Sequence, residues 1–425
     1  MRMTCVPSLR RGRVARLAAS AGVGAFTAAM VLVPAGPSGA STRSQVPANG
    51  VLGQTGGNLN DGSNQSVTSS DSSGQVDGQL ASPLPGPAFI YAEDGTCPDG
   101  ITVYAVAGTT LTQIQQVSVG CAERGAPGSH YLAVAQGNWG QNCLLYLDVG
   151  DAELDSFAIV PDGQLAGPPV SEVAVGGHPN DLATSAGAVF VSDLNQQYLD
   201  ELTLSQGCTL TANSRNPTLG EWDNDIAIAR GDVVSANFLG PGDLVAYAPQ
   251  SDGTLAEVAT RPGGIPGPSG VVALEWGPGT NVYTGDTPGV PQPPDVQGAR
   301  FTGTAFSAAH VTTDGDHQAL TGGAVAGSVQ YRVLAQADVL TGTVAYYGLT
   351  PSTITYEGTT SLEQTGDLPI EMTVAGANLL VANDSGGDVE DCAIATSAIS
   401  NCRTVVTLPQ AGSGVSGSTA VLMPS

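Results

Sequence analysis

Phe89-Ile90-Tyr91-Ala92-Glu93-Asp94 is a short β-forming run closed by an Asp, and runs closed by Asp or Asn occur seven times along the chain. The other copies are Leu145-Tyr146-Leu147-Asp148, Val189-Phe190-Val191-Ser192-Asp193, Val234-Ser235-Ala236-Asn237, Val282-Tyr283-Thr284-Gly285-Asp286, Val333-Leu334-Ala335-Gln336-Ala337-Asp338 and Leu380-Val381-Ala382-Asn383. Their ends lie 44 to 54 residues apart. A period of that size, built of strands and turns, is the signature of a β-propeller. The expected fold is all-β: a seven-bladed propeller of four-stranded blades over residues 86–425.

Around each copy the sequence lays out one plan. In the third blade Asn180 to Thr184 reads as the inner strand, Ala188 to Asp193 as the second, Tyr198 to Ser205 as the third and Cys208 to Asn213 as the outer one. The two ends do not balance. The first repeat begins directly with a second strand, while Ser418-Thr419-Ala420-Val421-Leu422 follows the last outer strand. That surplus strand supplies the missing inner strand of the first blade, which closes the ring and removes two exposed edges.

One stretch is more specific. Phe157-Ala158-Ile159-Val160-Pro161-Asp162-Gly163-Gln164-Leu165 precedes Val175-Gly176-Gly177-His178-Pro179-Asn180-Asp181, and Ala246 to Leu255 carries a second Asp-Gly-x-Leu turn. These residues resemble the repeat of the lactonase-like and YVTN-type seven-bladed propellers. The Pro-Arg-His run of lactonase-type members has no counterpart: the matching places read Pro179-Asn180-Asp181 and Trp222-Asp223-Asn224-Asp225. The resemblance therefore implies a fold, and an activity only as an alternative.

Composition sets further bounds. Arg10, Arg11, Arg13 and Arg16 precede an apolar run, Leu17 to Pro34, and Ser38-Gly39-Ala40. Residues 1–40 thus read as a secretory signal peptide, with an uncleaved anchor helix as the rival reading. Residues 41–85 are Gly-, Ser- and Asn-rich and read as a disordered linker. Loss of the signal leaves 38 acids against 8 arginines, a formal charge near −30 with no lysine. Such a surface repels phosphate backbones, so nucleic acid is not an expected partner. The absence of lysine excludes a P-loop and a Schiff-base mechanism. With the signal removed no membrane span is expected, and the product is read as a monomer in the bacterial extracellular space or cell envelope. Six cysteines remain, an even number that suits disulfides in an exported chain. Facing and proximity predict Cys392–Cys402 across a turn of the last blade. They also predict Cys97–Cys121 on the mouth face and Cys143–Cys208 on the opposite face between blades two and three.

The seven terminal residues, Asp94, Asp148, Asp193, Asn237, Asp286, Asp338 and Asn383, should ring one mouth. His130, His178, Asn180, Asp181, Asp223 and Asp225 should join them from the loops leading into inner strands. Such an acidic funnel suits a cation, with Ca²⁺ as a candidate cofactor, or a polyhydroxyl ligand. The competing account is that strand-end Asp and Asn bond the turns that follow them. No G-x-S-x-G elbow is present. His178 and His130 are the only acid–base imidazoles near the mouth. The sequence thus predicts a secreted binding propeller for a small polar ligand, glycan or protein partner. The alternative is a lactonase-like hydrolase acting on a lactone or sugar-acid substrate through His178 and mouth carboxylates.

Overall fold

In a computed structural model the seven repeated runs each fall on the second strand of an antiparallel sheet. The structure describes residues 76–422 except 85, 94–99, 120–130, 137–139, 194–196, 219–220, 240–243, 262–268, 278, 286–294, 308–309, 314–321, 339–340, 364–368, 384–386 and 409–417. The expected signal peptide and most of the expected linker lie outside the described residues, as does the expected Cys97–Cys121 bond.

The third blade shows the plan. Pro179–Ser185, Ala188–Asp193, Tyr198–Ser205 and Thr209–Pro217 run from inside to outside in chain order. Ala186 and Gly187, with φ of 46° and 89°, form the two-residue turn between the first pair. Positive φ at both central positions gives the turn the twist that adjoining strands need.

Ring closure follows the sequence reading. Ser418–Leu422 pairs antiparallel with Ala88–Glu93, from Phe89 opposite Leu422 to Glu93 opposite Ser418. It also touches the inner strands of the blades on either side, Pro369–Ala375 and Leu132–Gln136. Inner strands therefore adjoin one another in order around the whole ring.

The core is seven cores. One buried apolar cluster fills each gap between neighbouring blades. Alternate residues of a strand serve opposite gaps. Leu144 and Tyr146 pack toward blade one, while Cys143, Leu145 and Leu147 pack toward blade three. This is why the second strands read as continuous apolar runs: both faces are buried.

The motif that carried the resemblance is a latch between blades. Gly163, with φ of 85°, lies so close to the Phe89 ring of blade one that a Cβ there would overlap it. Tyr91 donates its hydroxyl hydrogen to the Gly163 carbonyl at 2.9 Å, and the Gln115 amide bonds both backbone groups of Leu165. The second copy repeats the device. Ser214 of blade three donates to the Gly253 carbonyl, and Asn216 Oδ1 accepts the Leu255 N–H at 2.9 Å.

Two disulfides join positions the sequence paired. Cys143–Cys208 ties blade two to blade three with Cα atoms 5.6 Å apart, and Cys392–Cys402 crosses the last two strands of blade seven.

One boundary differs from the sequence reading. Val76–Gln79, placed within the linker, is a fifth, outermost strand of blade one. The chain then crosses to blade seven, where Leu80 and Leu84 are buried among Ala375, Leu380, Val405 and Leu408. Asn378 accepts the Ser82 N–H at 2.8 Å and donates to its carbonyl at 2.9 Å, and Asp391 accepts the Ala81 N–H. Gly78 is required because a Cβ would lie 2.0 Å from the Val405 carbonyl oxygen. The strap therefore fastens the closing seam from outside while the C-terminal strand fills it from inside. Leu84→Ala should cost about 2–5 kcal/mol by the transfer and cavity terms of a buried leucine. Replacing both Cys143 and Cys208 by serine should cost about 2–4 kcal/mol. Denaturant unfolding of each variant checks both values.

Candidate functional site

Of the residues the sequence places at the mouth, the described second-strand acids bond backbone N–H groups and the two amides bond neighbouring side chains. Asp148 is buried and accepts the Asp151 N–H at 3.0 Å. Asp338 accepts the N–H of Thr341 at 3.3 Å as well as its hydroxyl. Asn383 donates to Asp388 Oδ1 at 3.3 Å, and Asn237 Oδ1 accepts the Ser235 hydroxyl at 3.4 Å. Asp193 Oδ2 accepts the His178 N–H at 3.1 Å. A Cβ at Gly176 would lie 2.2 Å from that same oxygen, so the Gly176-Gly177-His178-Pro179 turn is wrapped around the Asp193 carboxylate. Asp94, Asp286 and His130 lie outside the described residues. The same holds for the Asp223 side chain, although its backbone pairs opposite Asn237.

The acids at the start of the inner strands tie blade to blade. Asp181, fully buried, accepts the Leu182 N–H at 2.9 Å through one oxygen and the Ile226 N–H of blade four at 2.7 Å through the other. Asp225, also fully buried, accepts the Gly270 N–H of blade five. Glu371 of blade seven accepts the Thr419 N–H of the C-terminal strand at 3.2 Å. Sequence reasoning missed Glu371. The signal was there: Glu371-Met372 repeats the acid-then-apolar step of Asp181-Leu182 and Asp225-Ile226. A buried N–H without an acceptor is costly, so these carboxylates answer a structural need. His178 is exposed, held by its backbone rather than by its ring.

Inside the ring of acids lies the central channel, a cavity of about 380 Å³. Its wall comes from the inner strands of blades two to seven, with Leu132, Leu182, Ile226, Val271, Val325 and Met372 in matching positions. Each inner strand has a ladder partner on one side only. The other edge, with its N–H and C=O groups, faces the channel. Among the described residues Thr184 and Thr373 bring the only side-chain hydroxyls, and no ionisable one lines the cavity. The channel is thus an uncharged space with hydrogen-bonding edges. Among the described residues no group of three or more His, Cys, Asp or Glu is placed to hold a metal ion.

Two buried acids depart strongly from ordinary behaviour. Burial pushes Asp155 of blade two up to about 8, aided by Glu172, Asp148, Glu153 and Asp151. Burial likewise pushes Asp391, beneath the N-terminal strap, up to about 6, against the Ala81 N–H and the Arg403 charge that pull it down.

Against known proteins the likeness is structural. No protein-family model matches the chain, and no curated protein matches it in sequence. Among solved structures it resembles a putative 6-phosphogluconolactonase from Bacteroides fragilis, with TM-score 0.58, 14% identity, 76% of this chain and 96% of that one covered. The periplasmic gluconolactonase of Pseudomonas aeruginosa gives TM-score 0.58, 15% identity and coverage of 78% and 99%. A protein from Lactobacillus plantarum gives TM-score 0.57, 16% identity and the same coverage. The fold is the lactonase-like seven-bladed propeller. At these identities the likeness fixes architecture and leaves the chemistry of the channel to this chain's own residues.

Two predictions arise from the mouth. Asp181→Ala should cost about 1–3 kcal/mol by orphaning the buried Ile226 N–H, measured by denaturant unfolding. The second concerns pH. Asp155 and Asp391 bind protons more tightly folded than unfolded, so their contribution to stability is full below about pH 4 and falls as pH rises to about 8. The melting temperature should therefore fall between pH 5 and pH 8.5, and Asp155→Asn should flatten that fall.

Proposed function

We propose that this chain is an exported binding propeller that takes a small, uncharged, hydrogen-bonding ligand in its central channel. The observation that carries this reading is the described channel wall: inner-strand edges, the hydroxyls of Thr184 and Thr373, the latter donating to the Thr419 carbonyl at 3.2 Å, and apolar side chains, with the nearby acids Asp181, Asp225 and Glu371 engaged between blades. A charged ligand would lose its hydration there without a counter-charge. A cavity of this size is typical of a small-molecule site. Export is supported by the two disulfides, which persist in oxidising compartments, by the signal-like residues 1–40, and by the periplasmic location of one structural neighbour.

Lactone hydrolysis is the second reading, favoured by two neighbours that carry lactonase names. It would need an acid–base group, and His178 is the candidate. Glucono-1,5-lactone separates the two readings. We expect it to raise the melting temperature, with about 2.7 kcal/mol at one hundred times its dissociation constant, and to be hydrolysed no faster than in buffer. Ala227→Phe, which fills the channel, should abolish the shift. Hydrolysis above the spontaneous rate that is lost in His178→Ala would replace the binding reading with an enzymatic one.

A further inference from the structure

A second cavity lies away from the channel, in the groove between the outer parts of blades two and three. It has a volume of about 350 Å³, and Ala174, Val175, Asp200, Leu202, Ala212 and Arg215 line it. Arg215 is held on two sides. Its Nε and one terminal nitrogen donate to the two oxygens of Asp200 at 2.8 and 3.2 Å, and its guanidinium carbon lies 4.4 Å over the Tyr198 ring. Asp200 is 7% exposed, whereas the Arg215 side chain is 48% exposed. The Asp200 pair occupies one edge of the fork. The other terminal nitrogen has no partner among the described residues and stands open beside the cavity.

Fixed geometry of this kind is unusual on a surface where an arginine would otherwise sample many rotamers. It presents donor hydrogens next to carboxylate oxygens that retain lone pairs. A donor and an acceptor side by side match two adjacent hydroxyls of a sugar ring, one accepting from Arg215 and one donating to Asp200. Ala174, Val175, Leu202 and Ala212 supply apolar wall for the C–H face of such a ring. Charge separates this from an anion site. The Arg215 charge is already matched by Asp200, Glu201 lines the same cavity, Asp193 lies nearby, and the chain carries a formal −25, so an added carboxylate would be repelled.

We infer that the groove between blades two and three is a carbohydrate subsite, with Arg215 and Asp200 gripping neighbouring hydroxyls of a neutral pyranose. It is independent of the channel and of its ligand.

The test is titration of the full chain with the methyl pyranosides of glucose, galactose and mannose, and with gluconate as an anionic control, followed by saturation-transfer NMR. At least one pyranoside should bind saturably, and gluconate should not. Arg215→Ala should weaken that binding at least tenfold, and Ala212→Trp should block it. The titrations are repeated in the Ala227→Phe background, where the channel is filled, and the Arg215-dependent binding should be unchanged there. Melting curves identify any variant that fails to fold, and Arg215→Lys is the milder substitute because it keeps the charge while losing the fork. The inference is overturned if no methyl pyranoside saturates. It is equally overturned if binding in the Ala227→Phe background survives Arg215→Ala and Ala212→Trp, or if Ala227→Phe alone removes all binding.

Discussion

A propeller is a ring of sheets, and the ring closes where strands from opposite ends of the chain pair with no loop between them. Here the seam lies between blades seven and one, and both ends of the described chain meet there. Ser418–Leu422 completes the first blade from inside, pairing with Phe89 to Glu93. Val76–Leu84 fastens the same gap from outside through Leu80, Leu84 and the bonds to Asn378 and Asp391. Without the C-terminal strand the first blade would expose a paired-edge vacancy and blade seven would lose its neighbour. The seven apolar clusters are separate, so their stabilities combine only while the ring is shut.

Ring geometry also decides what the polar residues do. An inner strand has one ladder partner, and its N–H groups near the mouth need acceptors from elsewhere. Asp181, Asp225 and Glu371 provide them across three of the gaps. A reader of the sequence sees acids converging on one face and infers an open funnel. The structure turns each described one toward backbone, which leaves the channel uncharged. Charge at the mouth is thus a consequence of blade assembly, and the chemistry offered to a ligand comes from strand edges and hydroxyls.

The architecture was legible because it rests on local, periodic signals. Seven runs closed by Asp or Asn, the surplus strand at the C-terminus and the spacing of Cys143, Cys208, Cys392 and Cys402 all follow from pattern and topology. The strap was hidden by composition: two leucines, Leu80 and Leu84, sit in a Gly- and Ser-rich stretch, and their partners lie some three hundred residues away. The roles of the acids were hidden for a related reason. Asp181 and the Ile226 N–H it serves are 45 residues apart, and nothing in the sequence distinguishes an acid facing a neighbouring backbone from one facing a ligand. The Arg215–Asp200 pair gave no signal beyond one arginine in a chain poor in them; only the cross-strand register brings it opposite Asp200.

The central claim is that the ring is closed by its C-terminal strand. Unfolding of a chain ending at residue 417 tests it most directly, followed by circular dichroism and by sedimentation. Closure by this strand predicts loss of the single cooperative transition and association through the bared edge of Ala88–Glu93. A truncated chain that stays monomeric and melts in one transition at the parent temperature would contradict it.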